Sequence, residues 1–511
     1  MKKILKFLFS RMVAVGALIA LQALILILLI WKLSNYFVYV YAFFMILSMV
    51  MVLWIVSKKA NPSVKIPWVI IIMMFPIFGG LFYVLFGGTR IPKNQRRKMN
   101  KIVKNMVEKY PDSADIIKEL ENIDEHIAMQ FNYVNRQSGA SVYKNTTGEY
   151  LELGEVKFEK MKEELEKAKH FIFMEYFIIQ EGVMWNSILE ILERKVKEGV
   201  DVRVMYDDIG CLQTLPYRYN EILESKGIKC VVFNPFKPSL SVGLHNRDHR
   251  KITVIDGYVG FTGGVNLADE YINEYEKHGH WKDCGVMLKG EAVWNLTVLF
   301  LGIWNYYRDA DENYDRFKPH EHHKDTFESD GYVQPYGDTP LDDEYLSESV
   351  YLNMINNATR YLYINTPYFI VDNELVTALT LAAKRGVDVR IVTPHIADKW
   401  YVHLITESYY HQLIDGGVKI YEYTPGFIHS KTFVADDELC VIGTINMDYR
   451  SLYHHYECGA LMYRNKAVVQ LKEDFLSTLK VCQLVTKEDC IRVPYIKRII
   501  RGLLKIISPL M

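Results

Sequence analysis

HRKITVID at His249–Asp256 and HSKTFVAD at His429–Asp436 are two copies of one pattern. In each copy a lysine stands two residues after the histidine, and an aspartate stands five residues after the lysine. A glycine follows seven residues after each aspartate, in GGVN (Gly263–Asn266) and GTIN (Gly443–Asn446). Two chance matches to so long a pattern in one chain are rare. The repeat therefore predicts a function that uses both copies.

The spacing within each copy explains how its histidine and lysine can act together. Residues i and i+2 of a strand point from the same face, which directs His249 with Lys251, and His429 with Lys431, into a pocket. The glycines of the following loops let backbone amides approach an oxyanion. Two imidazoles and two ammoniums converge only if the copies pack face to face about a pseudo-twofold axis. One copy alone is half of a site.

Such a set of groups suits chemistry at a phosphodiester. One neutral imidazole attacks phosphorus, the other gives its proton to the leaving alkoxide, and the lysines stabilise the added phosphoryl charge. A metal is disfavoured because an ammonium two residues from each histidine repels a divalent cation, and we expect no cofactor. The candidate catalytic residues are His249, Lys251, Asp256, His429, Lys431 and Asp436, and the candidate phosphate-binding residues are Gly264, Asn266, Thr444 and Asn446.

The elements that precede each motif also recur in the same order. The first set is Phe171–Ile179, Lys197–Asp207 and Gly227–Phe233, and the second set is Tyr361–Ile370, Lys384–Pro394 and Gly417–Tyr423. In both sets short β-rich runs alternate with helical stretches, which is typical of α/β layers. We therefore predict an internal duplication that gives two similar α/β lobes.

The first 88 residues are apolar enough to predict a membrane anchor. Residues 12–31, 36–56 and 66–86 each match the roughly 20 residues that cross a bilayer as a helix. Two prolines and a glycine pair interrupt the third segment, which could be kinked, re-entrant or packed against its neighbours. A signal peptide is the alternative for the first segment, but no small-residue cleavage site follows it and a second apolar segment does.

Basic residues set the expected orientation of the anchor. Seven lysines and arginines between Arg90 and Lys104 favour the cytoplasmic side, and so do the basic residues ahead of Met12. Both preferences can be met only with an even number of spans. We expect a multi-pass membrane protein whose catalytic part faces the cytoplasm.

The chain divides into six predicted segments. They are an anchor with two to three apolar segments (1–88), a basic linker and helical region (89–140), the first lobe (141–318), a linker (319–344), the second lobe (345–490) and a basic amphipathic tail (491–511). The linker holds His320, His322 and His323, and its composition indicates a solvated loop rather than a metal site. The tail alternates basic and apolar residues as an amphipathic helix does. It either lies on anionic lipid or caps the second lobe with a solvated basic edge.

Composition argues against several other classes of protein. The formal net charge of -1 gives no overall electrostatic case for a nucleic-acid partner. Seven widely spaced cysteines without a CxxC pair argue against a disulfide framework or a zinc ribbon. Reduced thiols facing a cytosol fit this pattern best.

Four further stretches carry a resemblance to a known family. They are PIFGGLFYVLFG (Pro76–Gly87), HNRDHRK (His245–Lys251), TPYFI (Thr366–Ile370) and NMDYRSLYHHYE (Asn446–Glu457). Together with the two motifs they resemble the phospholipase D superfamily, and within it the bacterial cardiolipin synthases, over the front end and both lobes. The resemblance implies two phospholipase D-like lobes, each a mixed sheet flanked by helices, in a protein of the bacterial cell membrane.

The resemblance also implies a reaction and its partners. A phosphatidyl-histidine intermediate forms from phosphatidylglycerol with loss of glycerol, and a second phosphatidylglycerol attacks it to give cardiolipin. The expected partners are phosphatidylglycerol and anionic membrane lipid, with no nucleic acid, and a homo-oligomer is left open. Phospholipase D hydrolysis and phosphatidylserine-type synthesis also stay open because they differ only in the acceptor. A nuclease is disfavoured by the apolar segments, and a non-enzymatic scaffold by the two intact motifs.

The family pattern implies roles for particular residues. An acidic residue on the strand after each G-x-x-N loop orients a catalytic histidine, and Asp283 and Glu457 occupy the matching places. The first-motif histidine, His249, is the expected nucleophile and His429 the expected acid, although the pseudo-symmetry leaves the opposite assignment open.

Two further features of the site are also expected. The motif aspartates, Asp256 and Asp436, are expected to serve the fold more than the chemistry. Gly264 stands where many relatives carry serine, whereas Thr444 keeps a hydroxyl in the second loop. The two halves of the site are therefore predicted to differ chemically.

Overall fold

A computed structural model describes residues 24, 27, 28, 37–59, 61–76, 78–87, 93–236, 246–309, 312–342 and 344–510. The chain divides into two compact units, Met1–Ile91 with Pro235–His245 and Pro509–Met511, and Pro92–Asn234 with Asn246–Ser508. The predicted apolar segment 12–31 lies almost entirely outside the described residues.

Three helices form most of the described part of the first unit: α1 (Phe37–Ser57), α2 (Pro62–Met74) and α3 (Phe78–Phe86). Helix α1 matches the second apolar segment. Helices α2 and α3 divide the third segment near Pro76, whereas Pro67 and the glycine pair lie within the helices. Within the described residues no helix combines the length and the apolarity of a membrane span, so the predicted spans are not confirmed.

The three helices of this unit share a small core. Its buried residues are Ile55, Trp68, Ile72 and Tyr83. A Cβ atom at Gly79 would lie 2.6 Å from the carbonyl oxygen of Ile71. Glycine at this position therefore lets α3 approach the backbone of α2 closely.

Three helices precede the first lobe, in the region predicted to be basic and helical: α4 (Lys93–Val107), α5 (Ala114–Ile123) and α6 (Glu125–Ser138). The carboxylate of Asp124 caps α6 by accepting from the backbone N–H groups of His126 and Ile127. Gly139, with φ of 77°, ends the helix in the left-handed conformation that glycine favours.

The first lobe is built on a mixed sheet. Its strands are β1 (Thr146–Leu151), β2 (Phe171–Tyr176), β3 (Asp201–Asp207), β4 (Lys229–Phe233), β5 (Ile252–Ile255), β6 (Val259–Gly263) and β8 (Gly285–Gly290), with β7 (His280–Lys282) outside that sheet. Their order is β1-β8-β6-β5-β2-β3-β4, and only β2, β3 and β4 are parallel. The helices are α7 (Gly154–Lys167), α8 (Val183–Lys197), α9 (Tyr219–Ser225) and α10 (Val293–Arg308). Every residue of β2 is buried, as its continuous apolar run predicts.

The second lobe repeats this plan. Its strands are β9 (Tyr332–Asp338), β10 (Tyr361–Asn365), β11 (Phe369–Ile370), β12 (Asp388–Pro394), β13 (Lys419–Tyr423), β14 (Gly426–Ile428), β15 (Thr432–Ala435), β16 (Leu439–Gly443), β17 (Met447–Asp448), β18 (Glu457–Tyr463) and β19 (Cys482–Leu484). The main sheet has the order β9-β18-β16-β15-β10-β12-β13-β19. The short helix α11 (Pro319–His322) precedes the lobe, and its helices are α12 (Leu346–Asn357), α13 (Asn373–Lys384), α14 (Trp400–Asp415), α15 (Tyr449–Tyr453), α16 (Lys466–Leu479), α17 (Lys487–Ile491) and α18 (Tyr495–Ile507).

The two strand orders correspond one to one, with β19 added at one edge of the second sheet. The predicted duplication into two similar α/β lobes is thereby confirmed. Strands β5 and β15, which carry the apolar residues of the two motifs, are central in their sheets. The motif histidines and lysines lie in the three residues just before these strands, and not on the strands as their spacing predicted.

The predicted linker 319–344 is wrong in part, because β9 lies inside it and pairs with β18 over its whole length. Strand β9 is the counterpart of β1, so the second lobe begins there. Its sequence, YVQPYGD, did not predict a strand because the proline and the glycine interrupt the alternation of apolar and polar residues. Both residues are tolerated here because β9 is an edge strand. The linker histidines are also not simply solvated, since His322 stacks on His170 and His323 on Tyr258.

Candidate active site between two lobes

The second motif is tied to the first lobe by two short strands. Strand β14 leads into His429 and pairs in parallel with β7, which leads into Asp283. The N–H of His429 donates to the carbonyl of Lys282 at 2.7 Å, and its Nδ1 lies 2.6 Å from Asp283 Oδ2. The carboxylate that orients the second-lobe histidine therefore comes from the first lobe.

The first motif is tied to the second lobe in the reciprocal way. Asp248 and Tyr456 form a parallel bridge, and the N–H of His249 donates to the carbonyl of Tyr456 at 2.9 Å. Nδ1 of His249 lies 2.9 and 3.0 Å from the two carboxylate oxygens of Glu457. The structure thus brings both predicted acidic residues to the histidines, each across the boundary between lobes.

The two motif lysines are buried beside these histidines. Lys251 Nζ donates to the carbonyl of His249 at 2.6 Å, and Lys431 makes the equivalent bond to His429. Burial lowers the pKa of Lys251 to about 8 and that of Lys431 to about 7. A phosphate anion in the site would favour the charged form of both lysines.

Burial also controls the protonation of the two imidazoles. It lowers the pKa of His429 to about 4, although Asp283 opposes the change. Burial lowers the pKa of His249 well below its usual range, and the charges of Lys251 and Lys431 lower it further. A neighbouring carboxylate therefore stabilises the protonated form of His429 more than that of His249.

The carboxylate of Glu457 differs from an ordinary surface glutamate. Burial raises its pKa to about 8, against the charge of Lys251 and a hydrogen bond from Thr444. The Thr444 hydroxyl donates to Glu457, and the N–H of Cys458 donates to that hydroxyl at 3.0 Å. Thr444 thus holds the glutamate in place rather than facing a substrate phosphate.

Gly264 is the counterpart of Thr444 in the first lobe, and the reason for glycine there is steric. A Cβ atom at this position would lie 2.1 Å from Asp283 Oδ1 and 2.8 Å from its Cγ. Any side chain would displace the carboxylate that orients His429. The two loops were predicted to differ chemically. That difference follows from the acidic residue of the first lobe, Asp283, which is shorter than the glutamate of the second lobe.

The two loop asparagines, both predicted to bind phosphate, have different surroundings. Asn266 Oδ1 accepts from the N–H of Ile178 at 3.0 Å, and its Nδ2 donates to the hydroxyl of Tyr271 at 2.8 Å. Asn446 Oδ1 is buried without a hydrogen-bond partner among the described residues. Asn266 is thus committed to holding the chain, whereas Asn446 keeps an acceptor for a hydroxyl or amide.

The motif aspartates hold the fold and do not reach the histidines. Asp256 accepts from three successive backbone N–H groups at the start of β2, each at 2.8 Å. Asp436 accepts from the equivalent groups at the start of β10, at 2.7, 2.8 and 2.9 Å. These contacts agree with the expectation that both aspartates serve the fold more than the chemistry.

Two residues that the sequence did not single out lie against the catalytic rings. The ring centroid of His455 is 5.6 Å from that of His249, and the ring centroid of Trp281 is 5.3 Å from that of His429. Each stands two residues before an acidic residue of the site, so the internal repeat relates their positions. Neither ring nitrogen of His455 has a hydrogen-bond partner among the described residues.

A buried lysine also lies behind the first loop. Lys157 Nζ donates to the carbonyl of Val265 at 3.3 Å, and burial lowers its pKa to about 8. Its position in α7 carries no motif, so sequence reasoning missed it. The charge of Lys157 adds to the positive potential that an anionic substrate would meet.

One cluster in the site has the spacing of metal ligands. Ligand atoms of His249, His455 and Glu457 lie within 4.8 Å of one another. The buried ammonium of Lys251 interacts with both His249 and Glu457, which opposes a divalent cation there. We therefore interpret the cluster as the hydrogen-bonded pair of His249 and Glu457 with the ring of His455 packed beside it.

The geometry agrees with comparisons to known proteins. A family model described as cardiolipin synthase, PLD-like domain, matches residues 161–283 and 351–479, once in each lobe. A model described as phospholipase D-nuclease N-terminal matches residues 46–88. A cardiolipin synthase of Halalkalibacterium halodurans is 32% identical over 89% of this chain and 90% of its own. The chain belongs to the cardiolipin synthase family.

Two further relatives and one solved structure are also similar to this chain. A cardiolipin synthase of Geobacillus kaustophilus is 34% identical over 91% of this chain and 92% of its own. An uncharacterized protein of Streptococcus mutans is 44% identical over 90% of this chain and 99% of its own. The phosphatidylserine synthase of Haemophilus influenzae covers 75% of this chain and 99% of its own at a TM-score of 0.57 and 14% identity. At that identity the likeness concerns the fold alone.

Proposed function

We propose that this member of the cardiolipin synthase family transfers a phosphatidyl group from one phosphatidylglycerol to another, giving cardiolipin and glycerol. The observation that carries the proposal is the reciprocal pairing of His249 with Glu457 and of His429 with Asp283. Because Nδ1 of each ring faces a carboxylate, Nε2 of each ring remains for phosphorus or for an oxygen of the substrate.

In the first step Nε2 of His249 attacks phosphorus, and the bond from phosphorus to the headgroup oxygen breaks. The leaving oxygen takes the proton from His429 and departs as glycerol. Lys251 and Lys431 stabilise the extra negative charge on the phosphoryl oxygens. The step leaves a phosphatidyl group on His249 and a neutral ring at His429.

In the second step His429 accepts the proton of a headgroup hydroxyl from a second phosphatidylglycerol. That oxygen attacks phosphorus, and the bond between phosphorus and His249 breaks. The site returns to its starting protonation. Two phosphatidylglycerols have become one cardiolipin and one glycerol, so atoms and charge balance.

The unequal carboxylates support His249 as the nucleophile and His429 as the acid. A nucleophile must be neutral, and burial with the charges of Lys251 and Lys431 lowers the pKa of both rings, so the contact that distinguishes them is the carboxylate of Asp283 at His429. An acid must hold a proton, and Asp283 favours the protonated form of His429. A bound phosphodiester anion would raise the pKa of both rings toward the working pH.

We further propose that residues 1–88 anchor the protein in the bacterial cell membrane as a multi-pass segment, with the catalytic lobes on the cytoplasmic side. Helix α1 exposes large apolar side chains, among them Val38 at 74%, Tyr39 at 79% and Leu53 at 70%. Surface of this kind is stable against lipid rather than water. The basic residues that follow the anchor in the sequence favour the cytoplasmic face.

The experiment is a lipid turnover assay with the purified full chain. We expect phosphatidylglycerol in mixed micelles to yield cardiolipin and free glycerol in equal amounts. His249→Ala and His429→Ala should each lower the rate about a thousandfold or more, since both act in one site. His320→Ala, at an exposed histidine outside the site, is the matched control and should keep full activity.

The products decide between acceptors. Phosphatidic acid in place of cardiolipin would make water the acceptor and contradict the transferase proposal. A phosphatidyl ester of serine, formed when serine is added in preference to cardiolipin, would point to the phosphatidylserine-type reaction instead. Absence of any lipid turnover by the wild type would contradict all of these reactions.

A further inference from the structure

Helix α18, at the end of the second lobe, carries its apolar residues on the outside. The exposed side chains are Ile496 (73%), Ile499 (47%), Ile500 (39%), Leu503 (61%), Ile506 (41%) and Ile507 (40%). At about 100° per residue they share an arc of about 120° around the helix. We call this set the aliphatic ridge. None of its members is polar, and no charged residue falls within the arc.

The opposite face of α18 is basic and is turned toward the protein. Glu407 of α14 lies 2.5 Å from Arg501 and 3.1 Å from Lys497. The ammonium of Lys505 lies 3.8 Å from the ring centre of Tyr409. Helix α18 thus packs on the second lobe, as one of the two predicted alternatives has it, but Arg501 and Lys505 of its basic edge face α14 rather than solvent. The contacts with α14 hold α18 with its ridge outward.

We propose that the aliphatic ridge inserts into the surface of a lipid bilayer and so docks the second lobe on the membrane. A helix that caps a soluble lobe buries its apolar face, whereas α18 presents six large aliphatic residues together. An exposed apolar patch of this kind marks an interaction surface. The ridge is convex and has no side-chain hydrogen-bonding group, which suits the boundary between headgroups and acyl chains.

Charge selects the lipid surface over a second copy of this chain. From Lys487 onward the chain has six lysines and arginines against two acidic residues. Lys497, with 41% of its side chain exposed, can reach anionic headgroups beside the ridge while the aliphatic residues enter the lipid. Two copies of α18 packed ridge to ridge would instead offer Lys497, at the flank of the ridge, a second basic helix in place of an anionic headgroup.

The inference rests on the proposed function only in naming a membrane as the source of the substrate. Its consequence is that the second lobe has a lipid contact of its own, separate from residues 1–88. The ridge would hold the catalytic lobes beside the leaflet that supplies phosphatidylglycerol. That contact is mainly apolar, so salt should weaken it little.

The test places a fluorescent label on the ridge of the full chain. Cys482 and Cys490, which are partly exposed, are first changed to serine, and Leu503→Cys is labelled with a fluorophore that responds to polarity. Arg498→Cys, on the same helix outside the arc, is the matched control. In phosphatidylglycerol–phosphatidylethanolamine vesicles, acyl-chain nitroxides should quench the Leu503→Cys label at least about threefold more than the control, at low and high salt. Equal quenching of both labels, or quenching of the Leu503→Cys label mainly by aqueous iodide, would overturn the proposal.

A second pair of variants tests the consequence for activity. Ile499→Glu with Leu503→Glu should lower cardiolipin formation from vesicles about tenfold and leave turnover of short-chain, monomeric phosphatidylglycerol unchanged. Gly502→Glu, where a Cβ atom meets nothing within 4 Å, adds a charge outside the arc and should change neither rate. Equal loss with both lipids, or a disulfide between Leu503→Cys chains in vesicles, would overturn lipid docking. If the label enters lipid but neither lipid is turned over, the proposed function fails and the docking stands.

Discussion

The two halves of the site share a backbone plan and differ in the side chains around their histidines. His249 faces a glutamate that is held by Thr444, with the ring of His455 beside it. His429 faces a shorter aspartate, with a glycine in place of the threonine and a tryptophan beside the ring. Duplication therefore supplied the framework, while the side chains around the two histidines diverged, and this difference is the basis for the unequal roles that we propose for the two rings.

Among the changes that test this comparison, loss of either carboxylate should lower activity the most. We expect Glu457→Gln and Asp283→Asn each to lower kcat/KM for phosphatidylglycerol about a thousandfold, because a buried histidine loses its orienting partner. Asp437→Asn, at a partly exposed aspartate outside the site, is the control.

A donor lipid with a good leaving group separates the two carboxylates. A p-nitrophenyl leaving group needs no proton, so the first turnover of such a donor should be restored in Asp283→Asn but not in Glu457→Gln. Equal restoration in both variants would contradict the division of roles between the two histidines.

The next largest loss of activity is expected when the first loop is given the threonine of the second loop. Gly264→Thr would place a Cβ atom 2.1 Å from the carboxylate of Asp283 and push it away from His429, lowering the rate about a hundredfold. Thr444→Ser keeps the hydroxyl that holds Glu457 and should change the rate little. Cardiolipin formation by both variants, with circular dichroism to show that each is folded, checks the prediction. Full activity of folded Gly264→Thr would show that the loops are interchangeable.

Both halves of the site contain a buried lysine, and the pH dependence of kcat/KM tests the role of these two lysines. A lowered pKa means that each ammonium is present below, and lost above, about 8 for Lys251 and about 7 for Lys431. Since the charged forms stabilise the phosphoryl oxygens, kcat/KM should fall on the alkaline side by about tenfold per pH unit for each proton lost. Lys431→Arg stays charged and should move that limb upward. An alkaline limb that does not move would assign it to another group.

The smallest effect is expected where the halves differ only in packing. The ring nitrogens of His455 have no hydrogen-bond partner among the described residues. His455→Phe replaces this ring with a phenyl ring, and the other half of the site has the aromatic ring of Trp281 at the corresponding place. We expect kcat to change less than about threefold, since the proton steps need only two histidines. The pH profile of the same variant is the second readout. A loss of about a hundredfold or more would make His455 part of the proton path.

The framework was predictable because its signals are local. Each motif, each buried run such as Phe171–Tyr176 and each repeated strand can be read from a few consecutive residues. The exchange of carboxylates between lobes was not predictable, since His249 and Glu457 are 208 residues apart and the sequence does not say which lobe faces which. Strand β9 was missed because a proline and a glycine interrupt its pattern.

The tail shows a further limit of sequence patterns. Amphipathicity identifies the two faces of α18 but not the face that meets the protein. That choice depends on Glu407, which lies on another helix and pairs with Arg501. Contacts of this kind join elements that are distant in sequence, so the pattern of the tail alone does not reveal them.

The central claim is that two unequal half-sites form one site, in which His249 is the nucleophile and His429 the acid. It is tested most directly with phosphatidyl-p-nitrophenol, whose leaving group needs no proton, followed by quenching and mass mapping of the modified peptide. The account predicts that His429→Ala releases a burst of nitrophenol and retains the phosphatidyl group on His249, while His249→Ala releases none. A burst from His249→Ala with the phosphatidyl group on His429 would contradict it.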